Sequence, residues 1–162
     1  MTSESAIRPA VPEDLPDVLR LVRELASYEK QPDAAVATLD DFATVLFPDH
    51  GHPSTFCHLA VVDGRVVGMA LWFLTFSSWT GQHGSWLEDL YVEPAHRGSG
   101  LGKALLAALA GLAVANGWTR VEWWVLNWNT PSIGFYESLG AVAQNEWTTY
   151  RLDGQALARF VG

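Results

Sequence analysis

Seven residues, Arg97-Gly98-Ser99-Gly100-Leu101-Gly102-Lys103, constrain this chain more than any other stretch. They follow Ser85–Val92, which reads as a strand, and they open an apolar stretch of helical length that lasts to about Asn116. A glycine-rich turn leading into a helix lets backbone N–H groups converge, and the helix terminus adds partial positive charge. Such a cradle suits a pyrophosphate. It is not a phosphate loop of the Walker type, because the spacing is one residue short and Ala104 stands where Ser or Thr would hold magnesium. Nor is it a dinucleotide loop, because the spacing differs and the strands before it build no βαβ unit. The chain must therefore deliver several strands and then one strand–loop–helix unit.

The rest of the pattern agrees. Ala6–Arg8 reads as a short strand ended by Pro9, and Leu15, Val18, Leu19, Val22, Leu25 and Ala26 then recur at helical spacing up to about Tyr28 or Glu29. Thr38 is placed to cap a second helix carrying Leu39, Phe42, Val45 and Leu46, with Asp40-Asp41 as a solvated face. Phe56–Val62 and Arg65–Phe76 are strands joined by Asp63-Gly64, a two-residue hairpin signal. Ser77–Gly84 reads as a loop, and Asn116-Gly117 suits a left-handed helix end. Arg120–Leu126 reads as a strand, Thr130–Leu139 as a helix, and Trp147–Leu152 as a last strand. The order is βαα-βββ-αβαβ, a mixed α/β arrangement in a single domain over 1–162.

Composition narrows the function. Ten basic against eighteen acidic residues leave a net charge of −8, which disfavours nucleic acid and anionic membranes and favours a cationic small molecule. With 49% hydrophobic and 17% charged residues the chain can bury a core. The apolar run Ala104–Ala115 is shorter than the ~20 residues of a membrane span, and no leader pattern is read at the start, so a cytoplasmic protein is expected. Cys57 is the single cysteine, which excludes an internal disulfide. His50, His52, Cys57 and His58 crowd one region but match no structural zinc spacing, so no metal is expected. Trp118, Trp123, Trp124 and Trp128 are expected to pack on both faces of the strand they flank or occupy.

Two segments together resemble the GCN5-related N-acetyltransferase (GNAT) family: Arg97-x-x-Gly100-x-Gly102, and Asn129-Thr130-Pro131-Ser132-Ile133-Gly134-Phe135-Tyr136. Ile7-Arg8-Pro9-Ala10, the helix end Leu25-Ala26-x-Tyr28-Glu29, and Leu87-Glu88-Asp89-Leu90-Tyr91-Val92 resemble its diamine (spermidine/spermine) acetyltransferase branch. The likeness covers nearly the whole chain. It implies a mixed, mostly antiparallel sheet of six to seven strands with about four helices, acetyl-CoA as cosubstrate, no metal, and a homodimer.

It also implies roles. Leu90, Tyr91 and Val92 would lie along the cofactor arm, with Leu90 and Val92 offering backbone groups. Arg97, Gly98, Ser99, Gly100, Leu101, Gly102 and Lys103 would cradle the pyrophosphate, and Asn129 and Ser132 would lie on the arm's other side. Tyr136 would be the general acid and Glu88 would help remove the amine proton. Asp89 should face away from Glu88, because strand side chains alternate. Tyr28, Glu29, Trp86 and, on a loose match, Glu146 are candidates for the amine pocket. The implied activity is transfer of acetyl from acetyl-CoA to a primary amine of a diamine, polyamine or lysine-like amino acid. A protein or peptide acetyltransferase, or a non-catalytic acyl-CoA-binding module, are the alternatives.

Overall fold

The computed structural model describes residues 4–160. Strand β1 (Ser5–Pro9) leads to α1 (Leu15–Tyr28) and α2 (Leu39–Leu46). Three long strands follow: β2 (Phe56–Val62), β3 (Arg65–Ser77) and β4 (Gln82–Val92). Then come α3 (Leu101–Asn116), β5 (Val121–Glu122), α4 (Thr130–Ser138) and α5 (Gly154–Phe160). The sheet order is β1-β2-β3-β4-β5. The first four strands are antiparallel neighbours, and β5 runs parallel to β4.

Local chemistry explains the boundaries. Thr38 and Asp41 form a reciprocal capping box at α2, so Asp41 is a helix-start ligand rather than part of a merely solvated face. Asp63 and Gly64 both take positive φ, the geometry a two-residue hairpin needs between β2 and β3. Gly117 ends α3 in the left-handed region, as its sequence suggests.

One sheet face packs on α1 and α2. Val18, Leu19, Leu21, Phe42 and Leu46 from the helices meet Cys57, Leu59, Met69, Leu71 and Tyr91 from the strands. Fully burying each such aliphatic side chain is worth about 1.5–3 kcal/mol. The apolar side of α3, with Leu101, Leu105, Leu106, Leu109 and Ala113 buried, packs on the sheet as well.

The structure departs from expectation in three places. The β3–β4 hairpin is longer than foreseen: pairing continues to Ser77 opposite Gln82, so only residues 78–81 form the turn rather than Ser77–Gly84. The strand expected over Arg120–Leu126 shrinks to Val121–Glu122. Trp147–Leu152 forms no strand, and Trp147 and Tyr150 are exposed. Aromatic and β-branched residues supply only β propensity, whereas a strand also needs a neighbour for its N–H and C=O groups, and residues 147–152 have none in the sheet. The sheet therefore has five strands rather than six to seven, and the helices number five among the described residues. The chain divides at Trp124/Val125 into two compact units.

Candidate active site

The first unit holds an acidic, aromatic corner on β4. Leu87 lies opposite Trp72 on β3 and Asp89 lies opposite Leu71, so Glu88 has no opposite residue: it is a β-bulge. The bulge breaks side-chain alternation. Trp86 is opposite Phe73 and Asp89 is opposite Leu71, and residues 71 and 73 share a face of β3. Trp86 and Asp89 therefore share a face although they are three positions apart. The indole N–H of Trp86 donates to Glu88 Oε2 at 2.9 Å, so the three residues form one corner. The expectation that Asp89 must turn away from Glu88 is thus corrected, and the reason is the extra residue in the strand.

Glu88 is exposed, whereas Asp89 is half-buried. Burial, then the negative charges of Glu88 and Glu29, push the Asp89 carboxyl up to about 7. Burial also raises Glu29, which follows the end of α1. Tyr28, the last residue of α1, is half-buried. The charges of Glu88 and Glu29 thus both act on Asp89, and Glu88 lies against Trp86. The Glu88-Asp89 pair is visible in the sequence, whereas the bulge that unites it depends on pairing with β3.

The outer edge of β4 is open beyond this corner. Pairing with β5 covers only Ser85 and Trp86. The Glu93 N–H donates to Val67 O at 2.9 Å, so by antiparallel alternation Tyr91 bonds toward β3 while Leu90 and Val92 turn their backbone groups outward. Val92 O accepts from Arg97 Nε at 2.9 Å on that side. Tyr91 itself is buried in the core under α1.

The strand then delivers the glycine loop. Gly98 has φ +76° and Gly100 has φ +89°, and a Cβ on either would meet nothing within 4 Å. The glycines are there for backbone conformation, and the space before them is open. Gly100 is the N-cap of α3 and supplies no side chain to cap it. Among the described residues, no N–H from Gly98 to Lys103 donates to a loop or cap acceptor. Lys103 is exposed on the first turn. A helix start without a side-chain cap leaves backbone donors and partial positive charge able to meet an anion.

The second unit carries the other motif. Asn129 is the N-cap of α4, and its side-chain oxygen accepts from the Ser132 N–H at 3.3 Å. Tyr136 lies in the last turn of α4, half-buried, its ring tilted against Phe135 at 5.3 Å between centroids. Glu146 is exposed in a segment without regular structure.

The remaining candidates separate. Cys57 is buried, and its thiol is pushed up to about 12. His58 accepts from the Trp72 indole at 3.1 Å, while His50 and His52 are exposed. No group of three or more His, Cys, Asp or Glu among the described residues could hold a metal ion. No helix among them is long and apolar enough to cross a membrane. Trp124 and Trp128 are substantially exposed, against the expectation that both pack on a strand; β5 is too short to cover them. Trp124 instead meets Trp86 edge-on at 4.9 Å.

Comparison with known proteins gives a consistent picture. The profile of the Acetyltransferase (GNAT) family matches residues 16–141. A thialysine N-epsilon-acetyltransferase of Sus scrofa is 31% identical, over 96% of each chain. A spermidine/spermine N(1)-acetyltransferase-like protein 1 of Homo sapiens is 34% identical over 93% of this chain and 23% of its own length. Among solved structures, an integron cassette protein from the V. cholerae mobile metagenome superimposes with a TM-score of 0.80 at 26% identity, covering 97% of each chain.

Proposed function

The chain belongs to the acetyltransferase (GNAT) family and is an acetyltransferase similar to the diamine branch; from that premise we propose that it moves the acetyl group of acetyl-CoA to a primary amine of a small cationic molecule, by direct attack in a ternary complex. The observation that carries the reading is that one strand, β4, leads from an acidic corner directly into an uncapped glycine cradle. A cation-binding and an anion-binding feature are thereby joined by one short stretch of backbone.

In this reading the Gly98–Lys103 amides hold the pyrophosphate, with Arg97 at the base of the loop, and the outward backbone groups of Leu90 and Val92 orient the pantetheine arm beside Tyr91. Asn129 and Ser132 flank the arm. Acetyl-CoA supplies an acetyl group activated as a thioester. An alkylammonium has a pKa near ~10.4 and no lone pair, so a carboxylate must take its proton. Asp89, raised to about 7, is matched to that task, directly or through water, and Glu88 stands beside it at the exposed bulge. Tyr136 donates a proton from Oη to the departing thiolate. Tyr28, Glu29, Trp86 and Glu146 bind the rest of the amine. The whole chain acts as one catalytic domain. Likeness to the diamine branch supports a homodimer, and the net charge of −8 supports a cytoplasmic protein without nucleic-acid or anionic-membrane partners.

The test is thiol release from acetyl-CoA across a panel of amines and peptides. Turnover with diamines or diamino acids supports the reading. A preference for peptide N-termini would favour a protein acetyltransferase, and binding without thiol release a non-catalytic module.

A further inference from the structure

Arg97 belongs to the glycine motif, yet its side chain does not enter the cradle. Its Nε donates to Val92 O at 2.9 Å. Its guanidinium carbon lies 4.8 Å from the centre of the Tyr28 ring and 5.4 Å from that of Tyr91. Tyr91 is fixed in the core on β4, and Glu24 of α1 acts on its hydroxyl. Tyr28 ends α1, one residue before Glu29, whose charge reaches Asp89. The loop's one motif cation is thus wedged between the strand and the end of the helix that delivers the amine-side residues.

We propose that Arg97 is a positioning residue that ties the glycine cradle to the end of α1 through the Tyr28 ring, so that binding of acetyl-CoA and of the amine are energetically coupled. This rests on the acetyltransferase reading above. The physical basis is directional. A guanidinium over a ring face is held by the ring quadrupole, and its Nε–H bond to Val92 O fixes the plane. Ordering the loop around a pyrophosphate then restrains Arg97, which in turn restrains Tyr28 and Glu29. Tyr28 need not touch the cofactor to alter its affinity, and Arg97 need not touch the amine to alter its KM.

The experiment is a double-mutant cycle on the full chain with Arg97→Gln and Tyr28→Leu, and with Arg97→Lys and Tyr28→Phe as conservative partners. Acetyl-CoA affinity is measured by calorimetry, amine KM and kcat by thiol release, and folding by melting temperature. Tyr28→Leu should weaken acetyl-CoA binding by about three- to tenfold, and Tyr28→Phe, which keeps the ring face, should restore it. Arg97→Gln should raise amine KM by a larger factor than it lowers kcat, and the double variant should be no worse than the worse single one. Arg97→Lys, lacking the planar fork, should restore only part of the loss. Additive effects, or unchanged acetyl-CoA affinity in a folded Tyr28→Leu protein, overturn the coupling alone. Should Tyr28→Leu fail to fold, the effect of Arg97→Gln on amine KM decides, and an unchanged KM overturns the coupling. A wild-type chain that binds no acetyl-CoA overturns both this inference and the reading beneath it.

Discussion

Asp89 shows how one extra residue in a strand changes chemistry. Without the bulge at Glu88 its carboxylate would leave the corner that Trp86 and Glu88 occupy; with it, three acids lie close enough to interact. A half-buried carboxyl raised to about 7 binds a proton in the folded state that the unfolded chain releases near pH ~4. Stability from this group is therefore complete below about pH 4 and is lost as pH rises through about 7. Asp89→Asn, which never has to charge, should gain on wild type over that window and plateau above it, by roughly 2–4 kcal/mol. Urea unfolding at pH 4 and pH 8 checks this; an equal difference at both values contradicts the buried charge. The same substitution should remove the rise in kcat/KM near neutral pH. Tyr136→Phe should lower kcat by about 10²–10⁴ with acetyl-CoA affinity little changed. Wild-type turnover in that variant would mean that another group or water protonates the thiolate.

At the scale of elements, the loop into α3 is where sequence and structure agree most directly. Glycines at 98 and 100 were legible as a turn opening a helix, and the positive φ of both gives the reason they are glycine. Gly100→Val should abolish measurable acetyl-CoA binding, because it combines strain at φ +89° with bulk in the open space before the helix. Unchanged affinity in a folded variant would remove the cradle from the account. The hairpin turn at Asp63-Gly64, the cap at Thr38 and the end of α3 at Gly117 were legible for a similar reason: each depends on a few adjacent residues. The bulge, the shortened β5 and the absent strand over 147–152 were not, because each depends on pairing between segments distant in sequence. Within the site, Glu88 and the outward-turned Leu90 and Val92 could be singled out from a motif. Asp89 could not, since alternation argued against it.

Over the whole molecule, charge is the property most relevant to an amine. A net charge of −8 attracts polycations over a distance that salt shortens to about 10 Å at 0.1 M. For a dicationic acceptor, kcat/KM should fall as ionic strength rises, and it should fall much less for a monoamine with a neutral tail. Initial rates at two salt concentrations check this, and equal salt dependence would contradict steering.

The central claim, that β4 joins an amine-accepting acidic corner to an acetyl-CoA cradle, is tested most directly by thiol release from acetyl-CoA with a diamino acid, a polyamine, a neutral-tailed monoamine and a peptide, each with wild type and Asp89→Asn. Turnover is expected with the first two in wild type, with a large loss in Asp89→Asn and acetyl-CoA affinity preserved in both proteins. Thiol release that is independent of added amine, or unaffected by Asp89→Asn, would contradict that claim.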